Sequence, residues 1–212
     1  MRRGSDLSPR AVILGGGAAG LVTLVRAAYL RWGATDEEQN LRLPGDDLMP
    51  RSDVTATRAI TVHARAVNVW PWIAQLGQER GGFYSYDVLE NLVGCDIHSA
   101  NRIVPEWQRI EVGAGVKLHP DVTLIVAVVE GGRAVVLRGG VPMGRTPPPY
   151  DFTWAFVLRD GPGPTTRLVV RERWRYTRWW AALIVEPTQL ISFCMSQRML
   201  RGIKQRAEQA SP

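Results

Sequence analysis

Residues 116–118, 122–129, 134–138, 152–158 and 168–174 are five short runs rich in Val, Ile and aromatics. Gly131-Gly132, Pro147 to Pro149 and Gly161-Pro162-Gly163 separate most of them. Apolar or alternating runs divided by glycine and proline are the pattern of an antiparallel meander. A further strand is expected at 57–63, where Ile60 and Val62 alternate with Ala59 and Thr61. Two short helices follow. In 66–76, Val69, Trp70, Ile73 and Leu76 stand at helical spacing and Pro71 suits a first turn. In 86–93, Val88, Leu89, Leu92 and Val93 form one stripe that ends at Gly94 as a cap. The chain closes with a long amphipathic helix at 187–208, where Ile191, Met195, Met199 and Ile203 recur every four residues with Arg198, Arg201, Lys204 and Arg206 elsewhere on its surface. This order predicts an α+β fold, in which a curved sheet buries its concave face on the last helix and leaves room for a cavity.

The 212 residues suit one sizeable domain with an appendage, or two small ones. With 45% apolar and 22% charged residues and eight Trp, the chain is not disordered, and a packed core is expected. The net charge of +6 is carried almost wholly by arginine, which coding bias alone can produce, so it does not by itself imply a polyanionic partner. Cys95 and Cys194 form no CxxC, which leaves neither a disulfide framework nor a zinc pattern.

Residues 11–30, AVILGGGAAGLVTLVRAAYL, admit two readings. Gly15, Gly17 and Gly20 satisfy G-x-G-x-x-G after a strand-like start, the pattern that lays backbone amides against a pyrophosphate. The following VRAAYLRWGAT shows no second strand, and the alternating elements of a dinucleotide domain are missing. The favoured reading is a membrane-anchor helix within residues 1–32: twenty residues with only Arg26 charged match the length of a span, and Tyr29 and Trp32 suit an interfacial belt. Arginines nearly balance across it, so the side of the membrane on which the rest of the chain lies stays open. Residues 33–54 are polar and acidic with Pro44-Gly45 and Pro50, and read as a linker; an extended segment draped over the following domain is the alternative.

The element order and several strings resemble the START-like helix-grip superfamily, also called SRPBCC or the polyketide cyclase/dehydrase and lipid-transport family. The strings are RWGAT at 31–35, LPGD at 43–46, VWPWIAQLGQERGGFYSYDVLENLVG at 69–94, PEWQ at 105–108 and MLRGIKQRAE at 199–208, the last four resembling those of a largely uncharacterised bacterial subgroup, as does RWGAT. The resemblance covers about 57–208 and implies a helix-grip domain at 55–212 with a cavity for a hydrophobic ligand, preceded by a membrane segment. It implies no fixed catalytic set.

Cavity candidates are Tyr84, Tyr86, Glu90 and Asn91 in the polar-aromatic stretch 80–91, Trp174 on the last strand, and Met195 and Met199 on the last helix. The alternative is that the tyrosines pack on the sheet, with Asp87 and Glu90 capping or solvated. Among Asp87, Glu90 and Glu106, one desolvated carboxylate could do acid or base work. CDIH at 95–98 supplies too few ligands for a metal, and no G-x-S-x-G elbow is present. In RERWRYTRWW at 171–180, alternation sends Arg171, Arg173 and Arg175 to one strand face and Glu172, Trp174 and Tyr176 to the other. Such a mixture can stack nucleic acid, face a membrane, or form a basic exposed face over a core Trp; with an anchor in the same chain, the membrane is preferred to nucleic acid. The expectation is a membrane-tethered domain that binds a hydrophobic small molecule or lipid, without catalysis, metal or cofactor. A cyclase or dehydratase-like enzyme using the same cavity is the alternative, and a dinucleotide enzyme using Gly15 to Gly20 is a third reading.

Overall fold

The computed structural model describes residues 23–92, 94–140 and 146–210. Its strands are β1 (Val54–Val62), β2 (Gly115–His119), β3 (Val122–Glu130), β4 (Ala134–Gly139), β5 (Tyr150–Asp160) and β6 (Thr166–Tyr176). They form one antiparallel sheet in the order β1-β6-β5-β4-β3-β2. The last five strands are a meander, and β1 closes onto the last of them in a register that runs from Val54 opposite Trp174 to Val62 opposite Thr166. Bulges at Lys117/His119 and Val126/Val128 interrupt the far half of the sheet, where an extra residue bends a strand. The helices are α1 (residues 23–30), α2 (Asp36–Asn40), α3 (Ala66–Ala74), α4 (Asp87–Leu92) and α5 (Ala182–Gln209). A six-stranded antiparallel sheet holding one long C-terminal helix fits the helix-grip arrangement.

Strand alternation decides which face of the sheet does what. On β6, Leu168, Val170, Glu172 and Trp174 point to the inner face, where Leu200, Ile203 and Ala207 of α5 and Trp72 and Ile73 of α3 complete the core. Arg167, Val169, Arg171 and Arg173 point outward. The outward face is covered. Residues 33–53 lie on it instead of standing off as a linker, because the outward arginines need partners and this acidic stretch supplies them. Arg171, 3% exposed, donates to Thr57 Oγ1, Asp46 Oδ2 and the carbonyls of Glu38, Gln39 and Leu41. Arg167 pairs with Glu38 and Arg173 with Asp46. Leu43 fills a small second core with Val136, Val157 and Val169. A capping box in which Thr35 and Glu38 bond each other's backbone amides starts α2.

The approach of this segment depends on Gly33. Its φ is +71°, and a Cβ there would stand 2.2 Å from the carbonyl oxygen of Ala59, whose amide donates to Trp32 O at 3.1 Å.

Three expectations are corrected. Tyr29 and Trp32 pack against the inner core, Leu30 is buried, and Arg26 pairs with Glu186 at 2.9 Å, so aromatics read as an interfacial belt serve tertiary packing. Residues 1–22, with Gly15 to Gly20 and most of the 11–30 run, lie outside the described residues. Among the described residues no helix is long and apolar enough to cross a membrane. Second, Pro71 stands in the middle of α3; Val67, whose carbonyl loses a donor to the proline, is exposed and can be solvated. Third, α5 begins five residues before Pro187, which the helix accommodates in its second turn.

Candidate functional site

Beneath the N-terminal half of α5 the two layers do not meet. A cavity of about 440 Å³ separates the helix from the inner face of the sheet, within the range of pockets that hold small organic ligands. Its sheet wall is aromatic because the consecutive inward positions Tyr150, Phe152 and Trp154 of β5 are aromatic and face Trp174 of β6. The Phe152 and Trp174 rings lie 4.3 Å apart, and Tyr150 and Trp174 4.8 Å. Met195 and Met199 line the helix side, and Phe83 and Ile97 close the end beside α4. Leu89 of α4 and Ile191 of α5 line the cavity while remaining 55% and 65% exposed, which locates the opening between these two helices.

Two carboxylates reach this apolar space in different ways. Glu172 projects inward from β6 and is saturated: Oε1 accepts from Arg58 Nη1 at 2.8 Å and Ser196 Oγ at 3.0 Å, and Ser192 Oγ reaches Oε2 at 2.6 Å. Arg58, 1% exposed, also donates its Nε to the carbonyl of Tyr29. A buried pair of this kind is tolerated only with such added hydrogen bonds. Glu90 on α4 is different. Its Oε1 accepts from Ser85 Oγ, but Oε2 is buried without a hydrogen-bond partner. Burial pushes its carboxyl above the ordinary carboxylate range, the Ser85 hydrogen bond opposes this, and nearby Asp87 adds to the rise.

Four of the seven sequence candidates, Glu90, Trp174, Met195 and Met199, line the cavity. The other three are placed elsewhere. Tyr84 is buried with its hydroxyl donating to Trp72 O and the Arg206 guanidinium over its ring. Tyr86 is partly exposed beneath Arg198. Asn91 ties the following loop by bonding both the amide and the carbonyl of Ile97. Their positions follow from α4 being turned around. Val88, Leu89 and Leu92, the stripe that reads as core-facing, are 75%, 55% and 77% exposed, while Glu90 is 7% exposed. Cys194 is exposed as well, so the thiol that lines the wall is Cys95. Asp87 is held by the amide and hydroxyl of Ser99, which leaves it a turn-fixing role.

The residues missed by the sequence reading are Arg58, Glu172, Ser192 and Ser196. Arg58 shares the face of Ile60 and Val62 on the first strand, and Glu172 shares that of Trp174. Two opposite charges on two core-facing patterns were the available signal.

No family model matches this chain. No curated protein matches it either. Among solved structures it is similar to hypothetical protein jhp0584 from Helicobacter pylori, at 9% identity and TM-score 0.47, covering 79% of this chain and 96% of that one. It is similar to protein MLL2253 from Mesorhizobium loti at 11% identity and TM-score 0.44, covering 75% and 100%. A truncated norcoclaurine synthase from Thalictrum flavum is similar at 14% identity and TM-score 0.44, covering 73% and 94%. The chemistry open to the cavity rests on this chain's own residues.

Proposed function

We propose that this protein binds an apolar small molecule or lipid in the cavity between its sheet and α5. The observation that carries the reading is the cavity wall itself: aromatic and methionine side chains around a space of about 440 Å³, in a region where close packing would otherwise be the rule. The resemblance of the sequence to START-like proteins supports it. Membrane tethering belongs to the same proposal. Its supports are the apolar sequence before Arg26 and the exposed Leu24, Val25, Trp179, Leu183, Leu190 and Ile191 on α1, α5 and the turn before α5.

The test is native mass spectrometry with organic extraction on full-length protein from its own host. The full chain is required, since a fragment beginning at 54 would strip the outer face of the sheet. A stoichiometric apolar compound is expected; well-folded protein that repeatedly yields none counts against a carrier.

A second reading, a cyclase or dehydratase-like enzyme, is favoured by one observation. Glu90 is a desolvated carboxyl at the cavity wall with one oxygen outside any hydrogen bond, as a proton donor to a folded substrate would be. Under this reading Glu90→Gln retains affinity for the extracted compound and loses its turnover; unchanged turnover removes Glu90 from the chemistry.

A further inference from the structure

The exposed apolar side chains of this domain are gathered around the cavity mouth. Of the thirteen large hydrophobic residues exposed among the described residues, ten lie on α1, α4 and α5 or just ahead of α4 and α5. Leu89 and Ile191 both line the cavity and reach solvent, so they form the rim itself. Val88 and Leu92 on α4 and Leu183 and Leu190 on α5 extend it outward, each at least half exposed. Charge is arranged to match. Residues 179–197 contain one charged side chain, Glu186, and it is paired with Arg26. On α4, Asp87 is held by Ser99 and Glu90 is turned inward. The exposed charges that border this stretch are arginines: Arg178 before Trp179, and Arg198 and Arg201 one and two turns beyond Cys194. Arg198 stands over the Tyr86 ring at 6.0 Å, which puts it on the α4 side of the mouth.

Resting on the membrane reading above and going beyond a tether, we infer that this face docks on a bilayer carrying anionic lipid. The mouth between α4 and α5 then opens into the acyl layer, with Arg178, Arg198 and Arg201 at the headgroups. An apolar face bordered by basic side chains is what an anionic interface holds, by burial of the first and attraction of the second. The course of the chain points to the same side. Arg26 pairs with Glu186 and the Tyr29 ring lies 6.4 Å from that of Phe193, so the uncharged sequence 11–25 joins the domain beside the first turns of α5. A second copy packed face to face would bring the same arginines together, and α4 and residues 179–197 offer no exposed, unpaired carboxylate to answer them. Docking of this kind lets an apolar ligand pass between bilayer and cavity without crossing water, where its apolar surface is disfavoured.

The experiment uses full-length protein labelled with nitrobenzoxadiazole on Cys194, the exposed thiol of this face, with the site of attachment verified by peptide mass. A second sample carries the label at Val67→Cys in a Cys194→Ala background, beside Asp160 and Thr165 at the far end of β5 and β6. Vesicles of phosphatidylcholine and phosphatidylglycerol contain a phosphatidylcholine with a nitroxide on its acyl chain. Quenching is expected at Cys194 and not at Val67. Val88→Asp combined with Leu92→Asp, both outside the cavity lining, is expected to lower the ratio of quenched to unquenched label at Cys194 about tenfold, the fold-change of one buried apolar side chain lost. Uptake of the neutral probe N-phenyl-1-naphthylamine by this variant, measured without vesicles, should match wild type and shows that the cavity is intact. Protein that floats with the vesicles while neither label is quenched, or both are quenched equally, overturns the docking inference and leaves the tether standing. Protein that does not float overturns both. A Cys194 label that becomes shielded as protein concentration rises without vesicles gives the face to a second copy and also overturns the inference.

Discussion

The two faces of β6 carry polar side chains at alternating positions and treat them in opposite ways. On the outer face, Arg171 spreads its guanidinium over two side chains and three backbone carbonyls, and Arg167 and Arg173 find carboxylates. On the inner face, Glu172 is also saturated, but around it Glu90 Oε2 and the Trp154 and Trp174 indoles are not. The difference separates architecture from site. A polar group bonded on several sides by its own chain holds the fold together; Glu90, at the cavity wall, is tied to the chain only through Ser85.

The sharpest way to break the comparison is at Arg171. Substituting Met removes five hydrogen bonds and leaves the carbonyls of Glu38, Gln39 and Leu41 facing an apolar side chain. Arg171→Met is expected to cost about 3–5 kcal/mol in urea unfolding, the range for removing one partner of a buried ion pair. Probe binding by the fraction still folded should be unchanged. A loss under about 1 kcal/mol would mean that the 33–53 segment is not held by this lattice.

Glu90 should respond in the opposite sense. Replacing it by Met removes an unsatisfied buried oxygen from an apolar surround, so the unliganded protein is expected to gain about 1–3 kcal/mol, offset in part by the lost Ser85 contact. The same substitution, at the cavity wall, should weaken binding of the cavity's apolar ligand. A residue whose removal stabilises the fold and impairs binding is a site residue; destabilisation by Glu90→Met would instead place it with the structural carboxylates.

Much of this contrast was legible in the sequence, and the parts that were not share a cause. The meander, the terminal helix and the alternation of Arg171, Glu172, Arg173 and Trp174 follow from periodicity, which a strand imposes regardless of its neighbours. Periodicity shows that residues share a face but not which way the face is turned. In α4, a single six-residue helix, Val88 and Leu92 read inward and stand outward while Leu89 reaches only the cavity mouth, because the preceding turn through Tyr84, with φ of +56°, and the Asp87–Ser99 bonds set its orientation. Four-residue steps on α5 drift by about 40° each. So Ile203 and Met199 are buried, Met195 is half-buried and Ile191 is at the surface, and the stripe runs from core to cavity mouth. The outer face read as exposed because the acidic segment that covers it lies more than a hundred residues away along the chain.

The comparison can also be sharpened by pH. At Glu38, burial alone would raise the carboxyl, but the Arg167 hydrogen bond and the Thr35 amide outweigh it and hold the group below its ordinary value of 4.5. Its contribution is therefore present above that value and lost as pH falls through the folded-state pKa. Glu90 is raised, chiefly by burial, so its contribution is present below 4.5 and lost as pH rises through its folded-state value. In urea titrations from about pH 3 to pH 8, the deficit of Glu38→Gln relative to wild type should shrink toward acid, and the advantage of Glu90→Gln should grow toward neutral. Parallel curves would remove the distinction between the two carboxyls.

The smallest effect is expected at Arg26, whose ion pair with Glu186 is 39% and 38% exposed on its two sides. Such pairs contribute about 0–1 kcal/mol. If α1 is held by buried Leu30, by Tyr29 and Trp32 against the core and by the bond from Arg58 to Tyr29 O, Arg26→Ala should barely move the melting temperature. Amide exchange in residues 23–30 should rise only slightly. The Glu186 carboxylate would keep one partner, since the Tyr176 hydroxyl, pushed up to about 12 chiefly by burial and also by Glu186, remains a proton donor to it at 3.3 Å. A loss of several kcal/mol at Arg26 would show instead that an exposed ion pair fixes α1 on the domain. The first turns of α5 beside the cavity mouth would then be held from outside the core.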